Sequence, residues 1–414
     1  MSAAMPPGLP SVILIGGSAG ALSIARSLRP RGVRVYAIAP RTSHLRFSRH
    51  SQWIPLPKAE DRQTQWLDFL MQRAGEELRG AVVIPCEDDG LELVARRRSD
   101  LERRYVLIEA NDAILLALLD KEATYALARE AGVPAPRIWP VRSVEEAASL
   151  RDLTYPCAVK PRHSHRFQRH FPFHKLLVTR NRDGLLDALG LVFGRGLEVF
   201  ITEIIPGPED AYRSYFTYMD ESGEPLFHFT KRKIRQFPNG CGLGTYHVSD
   251  WNPDVITLGL QFLRGARHRG MANVEFKQDP RDGQLKLIEC NPRVVFINEL
   301  LRLSGIDHSL LVYNRLVHRA LPPLGTYKVG VHVLRPVDDF RAFRVAHRRG
   351  ELSWSTWARS LLRRQQLLVF RWTDPWPTLA RLGLGLRSRA VRIASRILPL
   401  RGAPDATQRW PEIV

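Results

Sequence analysis

The first hundred residues alternate between short apolar runs and amphipathic segments, which predicts a parallel α/β arrangement. Residues 11–15 have the unbroken apolar pattern of a buried strand, a glycine-containing turn follows, and residues 21–28 predict a helix. Further strands are predicted at 33–39 and 81–85, the second of which leads into another helix. This succession is typical of βαβ units, and we expect the parallel sheet to extend to about residue 110.

From about residue 157 the pattern changes to short strands separated by turns, which indicates an antiparallel α+β region. A helix predicted at 120–131 precedes it and ends at Gly132 and the nearby prolines. The strands predicted after it cover residues 157–160, 176–179, 199–205, 212–219, 226–233, 272–277 and 285–289. Residues 279–283 join the last two strands and have the composition of a hairpin loop.

Length and charge add two constraints. The chain has 414 residues, 44% of them hydrophobic, so it can bury two or three cores and we expect several domains. Its 61 Lys and Arg outnumber its 42 Asp and Glu, and much of the formal charge of +19 comes from arginines after residue 340. Such an excess favours an anionic partner, and nucleotides, acidic lipids and nucleic acids all qualify.

The cysteines and the N-terminus predict a cytoplasmic protein. Cys86, Cys157, Cys241 and Cys290 are far apart and form no CxxC pair or metal-ligand spacing, so we interpret them as reduced thiols. No charged segment precedes the first apolar run, and no run is long enough for a bilayer. The pattern therefore predicts neither a signal peptide nor a membrane span.

The glycine turn near the N-terminus raises the question of a dinucleotide site. A Gly-x-Gly-x-x-Gly motif would need glycine at Ile15, and the second strand ends at Ala39 and Pro40 without an acid for a ribose. We therefore favour a turn that needs glycine for close packing over an NAD site.

The middle of the chain carries stronger signs of a nucleotide site. Lys121 opens the helix at 120–131 and Lys160 ends an apolar strand, so both could face one polyanion, although a single lysine at a strand end is usually solvated. The segment 201–210 places an extended apolar hinge before a Pro-Gly turn and two acids. A hinge strand can offer backbone groups to a purine edge, and a nearby carboxylate can accept from ribose hydroxyls.

A strand pair further along predicts a metal site. Glu275, Glu289 and Asn291 can converge on one face, because residues two apart in a strand point the same way. Three hard oxygen ligands suit Mg²⁺, and Arg293 would lie where charge develops on a transferring phosphoryl group. The alternative, a salt-bridged surface hairpin, is disfavoured because the acids end apolar strands, where unpaired charges are costly.

Taken in order, five motifs resemble the ATP-grasp superfamily. They are the lysine ahead of Gly-Val-Pro-Ala-Pro at 132–136, Ala-Val-Lys-Pro at 158–161, Glu-Ile-Ile-Pro-Gly at 203–207, Val-Glu-Phe-Lys at 274–277, and Leu-Ile-Glu-Cys-Asn-Pro-Arg at 287–293. The resemblance covers residues 11–320 and is closest to carbamoyl-phosphate-synthetase-like and D-aspartate-ligase-like carboxylate–amine ligases.

The resemblance implies a fold class and a division of the chain. The fold is α/β and α+β, an ATP-grasp fold with an N-terminal Rossmann-like pre-ATP-grasp domain at 1–115. A small lid domain at 116–200 and a nucleotide and metal domain at 201–325 follow, with a basic C-terminal extension at 326–414. The nucleotide would lie between the lid and the metal domain.

The resemblance also implies ATP and Mg²⁺, for which Mn²⁺ could substitute, and roles for particular side chains. The residues implied are Lys121 and Lys160 for phosphates, Thr202, Glu203 and Ile205 for the adenine hinge, Glu209 for ribose, Glu275, Glu289 and Asn291 for the metal, Arg293 for the acyl phosphate, and Lys233 and Arg235 for the γ-phosphate or the substrate carboxylate.

One segment departs from the family pattern. After Lys160, the usual glycine-containing phosphate loop is replaced by residues 162–175, which are rich in arginine, histidine and aromatic residues. Arg162, Arg166, Arg169 and Lys175 could supply positive charge in its place. The histidine spacing fits no tetrahedral metal pattern, so we do not predict a metal site there.

These features predict an ATP-dependent ligase that activates a carboxylate as an acyl phosphate for attack by an amine, with release of ADP and phosphate. Its partners would be a small-molecule carboxylate and a small-molecule amine, and a homodimer is compatible with this interpretation. Two alternatives stay open. They are a carboxylase-type ATP-grasp enzyme and a catalytically inactive nucleotide-binding module at a membrane surface.

The basic C-terminal segment has two interpretations. Residues 381–400 interleave apolar residues with arginines, which is typical of a basic amphipathic helix and would allow weak contact with an anionic membrane. A solvated helix packed on the body is the alternative that we favour. We expect no nucleic-acid binding, because the basic run lacks a groove-reading motif.

Overall fold

The computed structural model describes residues 8–56, 61–172, 174–240 and 242–383. Its N-terminal part contains the strands β1 (Val12–Ile15), β2 (Val35–Ala39), β3 (Gln52–Pro55), β4 (Val82–Pro85) and β5 (Val106–Leu107), and the helices α1 (Ala19–Leu28), α2 (Arg62–Asp68), α3 (Asp88–Arg96), α4 (Arg98–Leu101) and α5 (Asp112–Leu119). The five strands form one parallel sheet in the order β3-β2-β1-β4-β5, which confirms the predicted α/β region. All four residues of β1 are buried, as expected for a parallel sheet that is covered on both faces.

The glycine turn between β1 and α1 brings α1 close to a distant part of the chain. Gly16 has φ +106°, and Ser18 caps α1 by accepting a hydrogen bond from the Ala21 N–H. A Cβ at Gly20 would lie 2.2 Å from the carbonyl oxygen of Val295, so only glycine permits this approach. The turn has the packing role favoured from the sequence.

A second sheet follows and forms a small unit of its own. Its elements are α6 (Lys121–Glu130), β6 (Ile138–Pro140), α7 (Val144–Ser149), β7 (Cys157–Pro161), α8 (Ser164–His170), β8 (Leu177–Thr179), α9 (Arg182–Phe193) and β9 (Val199–Glu203). The strands pair antiparallel in the order β6-β9-β7-β8. A compact core that includes Trp139, Val159, Phe167 and Leu189 holds α8 and α9 against this sheet.

The third sheet is the largest. Its region contains β10 (Tyr212–Met219), β11 (Phe229–Phe237), β12 (Leu243–Asp250), α10 (Pro253–Gly265), β13 (Gly270–Gln278), β14 (Leu285–Asn291), α11 (Asn298–Ser304), α12 (His308–Leu316), β15 (His332–Leu334), α13 (Pro336–Arg348), α14 (Trp354–Leu361) and β16 (Gln365–Leu367). The seven strands run in the order β14-β13-β10-β11-β12-β15-β16, and the first six pair antiparallel. The strand predicted at 226–233 begins three residues later and continues to Phe237.

Strands β15 and β16 lie beyond the domain boundary proposed at residue 325, yet they extend the same sheet. Buried ion pairs join this C-terminal part to the rest. Asp339 accepts from Arg235 at 2.8 and 2.9 Å, and Asp374 accepts from Arg26 at 3.0 Å and from the hydroxyl of Ser48 at 2.8 Å. The C-terminal part is therefore integrated with both larger sheets.

Three further predictions concern cysteines, membrane spans and the C-terminal helix. Cys86, Cys157 and Cys290 are free and buried, and Cys241 lies outside the described residues. Within the described part of the chain, no helix combines the length and apolarity needed to cross a bilayer. Residues 384–400, which make up most of the helix predicted at 381–400, also lie outside the described residues.

Candidate active site

A cavity of about 730 Å³ lies where the three sheets meet. Eight residues predicted for the site line it, namely Lys121, Lys160, Lys175, Lys233, Glu275, Glu289, Asn291 and Arg293. Among the described residues that line it, eight are Lys or Arg and only five are Asp or Glu. Its size is typical of a small-molecule site, and its charge favours an anionic ligand.

The register of β13 and β14 brings the predicted metal ligands together. Glu275 pairs with Glu289, and Asn273 pairs with Asn291, so these side chains share the face of the sheet that lines the cavity. The amide of Asn291 donates to Oε1 of Glu289 at 3.1 Å. No group of three or more His, Cys, Asp or Glu side chains gathers as a metal site among the described residues, so the predicted set rests on two carboxylates and an amide oxygen.

Lysines from three elements converge on these acids. Lys121, the first residue of α6, places Nζ 3.4 Å from Oε2 of Glu289. Lys233 on β11 places Nζ 3.1 Å from Oε1 of Glu275. Lys160 on β7 donates to the hydroxyl of Tyr125 at 2.6 Å and to the carbonyl of Ile288 at 3.2 Å. The first two lysines neutralise the acids, whereas Lys160 contacts only uncharged oxygens.

The environment lowers the pKa values of both Lys160 and Glu289, for different reasons. Burial lowers the pKa of Lys160 to about 8. Burial alone would raise the pKa of Glu289, but the nearby charges of Lys121, Lys175 and Lys160 outweigh it and hold that pKa well below its usual range. Glu289 is therefore ionised at neutral pH, as a metal ligand must be.

Arg293 links the site to the N-terminal sheet. Its guanidinium donates to Asp88 at the start of α3 and, at 3.4 Å, to Oδ1 of Asn291. Burial would raise the pKa of Asp88, yet the Arg293 charge and hydrogen bond lower it. The pair therefore joins two parts of the chain that both line the cavity.

The arginine- and histidine-rich segment forms α8, which contacts the N-terminal sheet's helix α3. His165 Nε2 lies 3.3 Å from Oε2 of Glu92, and Arg169 lies 3.2 Å from Oδ1 of Asp89. Lys175, after α8, lines the cavity and places Nζ 3.5 Å from the carbonyl of Gly242. Of this segment's predicted positive charges, Arg169 and Lys175 line the cavity.

Arg235 requires a correction, because the structure does not bring it to the cavity. Alternation along β11 would put it on the same face as Lys233, but the register with β12 shifts between Lys233 and Arg235 and again before Gln236. Arg235 therefore points to the opposite side, where it pairs with Asp339, and Gln236 faces the cavity instead.

The four residues predicted for adenine and ribose also lie outside the cavity lining. Thr202 is buried beside the backbone of Arg137, and Glu203 accepts from the Arg137 N–H at 3.1 Å and pairs with Arg281. The carbonyl of Ile205 accepts from Lys277 at 2.8 Å. Both oxygens of Glu209 are occupied by the backbone N–H groups of Gln236 and Gly240, at 2.9 and 3.0 Å.

Several cavity residues were not predicted. Lys231, Gln236, His247 and Asn273 line the cavity from the same sheet face as Lys233 and Glu275. Lys231 could have been found by alternation, since it precedes Lys233 by two positions on one strand. Gln236 could not, because its orientation depends on the irregular register of β11.

Comparison with known proteins adds one curated relative. The chain is 25% identical over 256 residues to the D-aspartate ligase of Enterococcus faecium, a match that covers 58% of this chain and 60% of the relative. The match therefore spans less than two thirds of that ligase. No family model matches the chain.

Solved structures resemble the chain more extensively in fold than in sequence. The ADP complex of the N5-carboxyaminoimidazole ribonucleotide synthetase PurK has a TM-score of 0.60 at 15% identity, with 78% of this chain and 81% of that chain covered. The L-amino acid ligase of Bacillus licheniformis has a TM-score of 0.56 at 17% identity, with 75% of each chain covered.

A third solved structure contains a nucleotide and metal. The biotin carboxylase domain of Hydrogenobacter thermophilus 2-oxoglutarate carboxylase, solved with MgADP, has a TM-score of 0.60 at 15% identity and covers 78% of this chain and 73% of that chain. These neighbours share the ATP-grasp architecture, which the sequence motifs predicted. The chain thus has the ATP-grasp fold.

Proposed function

We propose that the protein is an ATP-dependent ligase that activates a carboxylate as an acyl phosphate and joins it to an amine. The observation that carries the proposal is the cavity in which Lys121, Lys160 and Lys175 face Glu275 and Glu289. The resemblance to D-aspartate ligase supports amide formation over carboxylation. The chemistry would depend on positioning and electrostatic stabilisation, so no nucleophilic side chain is required.

The lysines suit the triphosphate of ATP. Lys160 is buried and pairs with no carboxylate among the described residues, so a bound anion would compensate its charge. Lys121 and Lys233 are paired with Glu289 and Glu275, and can transfer from these acids to phosphate oxygens. The acids freed by this exchange, with Asn291, would hold Mg²⁺, or Mn²⁺ in its place. Bound Mg²⁺ would neutralise charge on the phosphates and on the transferring phosphoryl group.

Arg293 and Lys233 are the proposed catalytic residues. Arg293 is anchored by Asp88 and lies within reach of Asn291, so its guanidinium is held beside the proposed metal position. A fixed cation there would stabilise the acyl phosphate. Lys233 lies on the other side of Glu275, where it would contact the γ-phosphate or the carboxylate that attacks it.

We propose that adenine and ribose are contacted by residues at the end of β9 and just after it, which form the predicted hinge. Thr202, Glu203 and Ile205 lie on or just after β9. Tyr212 lines the cavity, with its ring 5.1 Å from Nζ of Lys277, the residue that bonds Ile205, and 4.0 Å from Nζ of Lys233. Adenine binding would require Ile205 to exchange its bond with Lys277. A ribose contact from Glu209 would likewise displace the N–H groups of Gln236 and Gly240.

The test is release of ADP and phosphate from Mg-ATP with pooled amino acids, small carboxylates and bicarbonate. We expect substrate-dependent release from the wild-type protein and a loss of at least about 100-fold in Glu289→Gln, which keeps the side-chain size but removes a ligand charge. Glu224→Gln is the matched control, because Glu224 lies at the surface in a pair with Arg264.

Three outcomes separate the interpretations. Release that needs an amino acid or small carboxylate with an amine supports the ligase, and release that needs only bicarbonate supports the carboxylase-type alternative. Magnesium-dependent ATP binding without turnover in any pool supports the inactive module. If the protein does not bind ATP at all, the proposed function is wrong.

A further inference from the structure

Exposed apolar side chains concentrate in the C-terminal part of the chain. Among the described residues, fourteen large hydrophobic side chains are exposed, and eight of them lie between residues 337 and 382. Val337 is 51% exposed, Phe340 is 40% exposed and Trp354 is 53% exposed. Single exposed hydrophobic residues are ordinary, whereas a contiguous group of them marks an interaction site.

Helix α13 and the first residue of α14 bring these three side chains onto one surface. The exposed positions of α13 include 337, 340, 341, 344 and 348, a spacing that follows one face of a helix. The ring centroid of Phe340 lies 6.3 Å from that of Trp354, so the start of α14 continues this face. We call it the α13–α14 surface, and its residues are Val337, Phe340, Arg341, Arg344, Arg348 and Trp354.

The same region carries positive charge that few acids compensate. Residues 336–364 contain seven arginines and three acids. Asp339 accepts from Arg235 on β11, which lies outside this region. Asp338 pairs with Arg341 at 3.1 Å. The arginines of the region that form no ion pair with a described residue are Arg344, Arg348, Arg349, Arg359, Arg363 and Arg364.

Charge disfavours two occupants that the chain itself could supply. A second copy, packed with the same surface across a two-fold axis, would bring arginine against arginine, which is unfavourable. Residues 384–414 contain six arginines and two acids, so a contact from that segment would add positive charge. The occupant must therefore be anionic and must also accept apolar side chains.

We propose that the α13–α14 surface binds the headgroup region of a membrane that contains anionic phospholipids. Guanidinium groups pair with phosphate oxygens, and exposed tryptophan, phenylalanine and valine side chains enter the boundary between headgroups and acyl chains. RNA also offers phosphates, but an aliphatic side chain such as that of Val337 provides no stacking platform for a base. The inference goes beyond the proposed function and concerns residues other than the basic helix predicted at 381–400.

Buried contacts hold this surface on a strand that lines the cavity. Trp357 on α14 donates to Oδ2 of Asp339 at 3.0 Å, and Arg235 donates to both carboxylate oxygens of Asp339. Lys233 and Gln236, on the same strand as Arg235, line the cavity. The surface and the cavity therefore lie on opposite sides of β11, and lipid binding can be measured separately from binding in the cavity.

The experiment measures flotation of the full chain with vesicles. Vesicles of phosphatidylcholine alone are compared with vesicles of an equimolar mixture of phosphatidylcholine and phosphatidylglycerol, at low and at high salt. A single-stranded RNA of mixed sequence is tested in parallel by fluorescence anisotropy. Thermal unfolding of each variant checks that it is folded.

Two variants test the surface, and each has a matched control. Arg344→Gln/Arg348→Gln removes two unpaired charges, and Arg129→Gln/Arg180→Gln removes two charges from exposed arginines outside the surface and outside the cavity lining. Val337→Ser removes an apolar side chain from the surface. Val329→Ser is its control, because Val329 is exposed to a similar extent, 58%, and is not part of the surface.

We expect the wild-type protein to bind the mixed vesicles, more weakly at high salt, and to bind phosphatidylcholine vesicles at least about tenfold less tightly. Arg344→Gln/Arg348→Gln should weaken binding to the mixed vesicles about 10–30-fold, and Val337→Ser about three- to fivefold, with both controls within about twofold of wild type.

Three results would overturn the inference. The wild-type protein could fail to bind the mixed vesicles. The arginine variant and its control could lose affinity equally, which would assign vesicle binding to overall charge or to another part of the chain. Binding of the RNA without binding of the vesicles would make the surface a nucleic-acid site. None of these results bears on ATP binding, so the proposed function is tested separately.

Discussion

At the β13–β14 end of the cavity, Glu289 and Glu275 face lysine ammonium groups at 3.4 and 3.1 Å, whereas at the β12 end His247 and Gln236 carry polar atoms that no described residue satisfies. At the first end, each of these two carboxylates has an ammonium counter-charge. The second end lacks partners, and a ligand would supply them. The two ends of the cavity therefore differ in how their polar groups are satisfied: ion pairs satisfy the carboxylates at the β13–β14 end, and polar atoms at the β12 end stay without described partners.

The largest expected effect comes from breaking the buried ion pair between Arg235 on β11 and Asp339. Asp339 is 1% exposed and accepts from Arg235, Thr245 and Trp357. Asp339→Ala would leave the Arg235 charge buried without a partner, and we expect the free energy of unfolding to fall by about 3–5 kcal/mol. Chemical denaturation measures this change.

A neighbouring acid provides the control for that experiment. Asp338 is more exposed and pairs with Arg335 and Arg341 on the helix surface, so Asp338→Ala should cost at most about 1 kcal/mol. Similar losses in the two variants would show that burial of the Arg235 pair does not stabilise this end of the cavity.

The next effect concerns Lys160, next to the β13–β14 end of the cavity. Lys160→Met removes a buried ammonium that pairs with no carboxylate in the described part of the chain, and we expect affinity for Mg-ATP to fall about 10–100-fold, since the proposed charge-assisted hydrogen bond to phosphate would be lost. Isothermal titration calorimetry measures the affinity. Lys328→Met is the control outside the cavity lining, and an equal loss there would contradict a direct phosphate contact.

A smaller effect should appear with pH. The pKa of Lys160 is lowered to about 8 by burial, so its charge is present at pH 7 and is lost as the pH rises through 8. Affinity for Mg-ATP should therefore decrease between pH 7.5 and 9.5, by about tenfold at most. Lys160→Arg keeps its charge over this range and should flatten the decrease. An unchanged pH profile in that variant would assign the titration to another group, such as Lys231, whose pKa burial also lowers to about 8.

The smallest effect concerns the contact between α8 and α3. Asp89→Asn removes the charge that faces Arg169 and His165, and because Arg169 is half exposed we expect a change of at most about 1 kcal/mol in unfolding free energy. Hydrogen exchange of the α8 amides should nevertheless become faster. If exchange stays unchanged, other contacts hold α8 in place.

The sequence indicated more of the cavity lining at the β13–β14 end than at the β12 end. Glu275, Glu289 and Asn291 lie on two strands joined by a short loop, so local alternation and one hairpin determine which face they share. Arg235 lies outside the cavity lining because alternation fails where the register of β11 shifts, and the same shift brings Gln236, which was not predicted, into the lining. The partner of Arg235 is 104 residues away in sequence, and no local pattern indicates such a contact.

The residues predicted for adenine and ribose illustrate a second limit. The motif around Ile205 and Glu209 correctly predicted an extended strand followed by a turn, but not the bonds that these residues form in the absence of a nucleotide. Those bonds come from the Lys277 ammonium and from the backbone N–H groups of residues 236 and 240, all of which lie further along the chain than the motif. Their roles stay predictions until binding is measured.

The pairing of β15 with β12 has a consequence for aggregation. A protein shortened to residue 325, the boundary suggested by the sequence, would lose β15 and β16 and leave the backbone groups of β12 unpaired along an open sheet edge. An exposed edge of this kind recruits strands from other molecules. The C-terminal part of the chain thus covers the edge of β12, and we expect the shortened protein to aggregate more readily than the full chain.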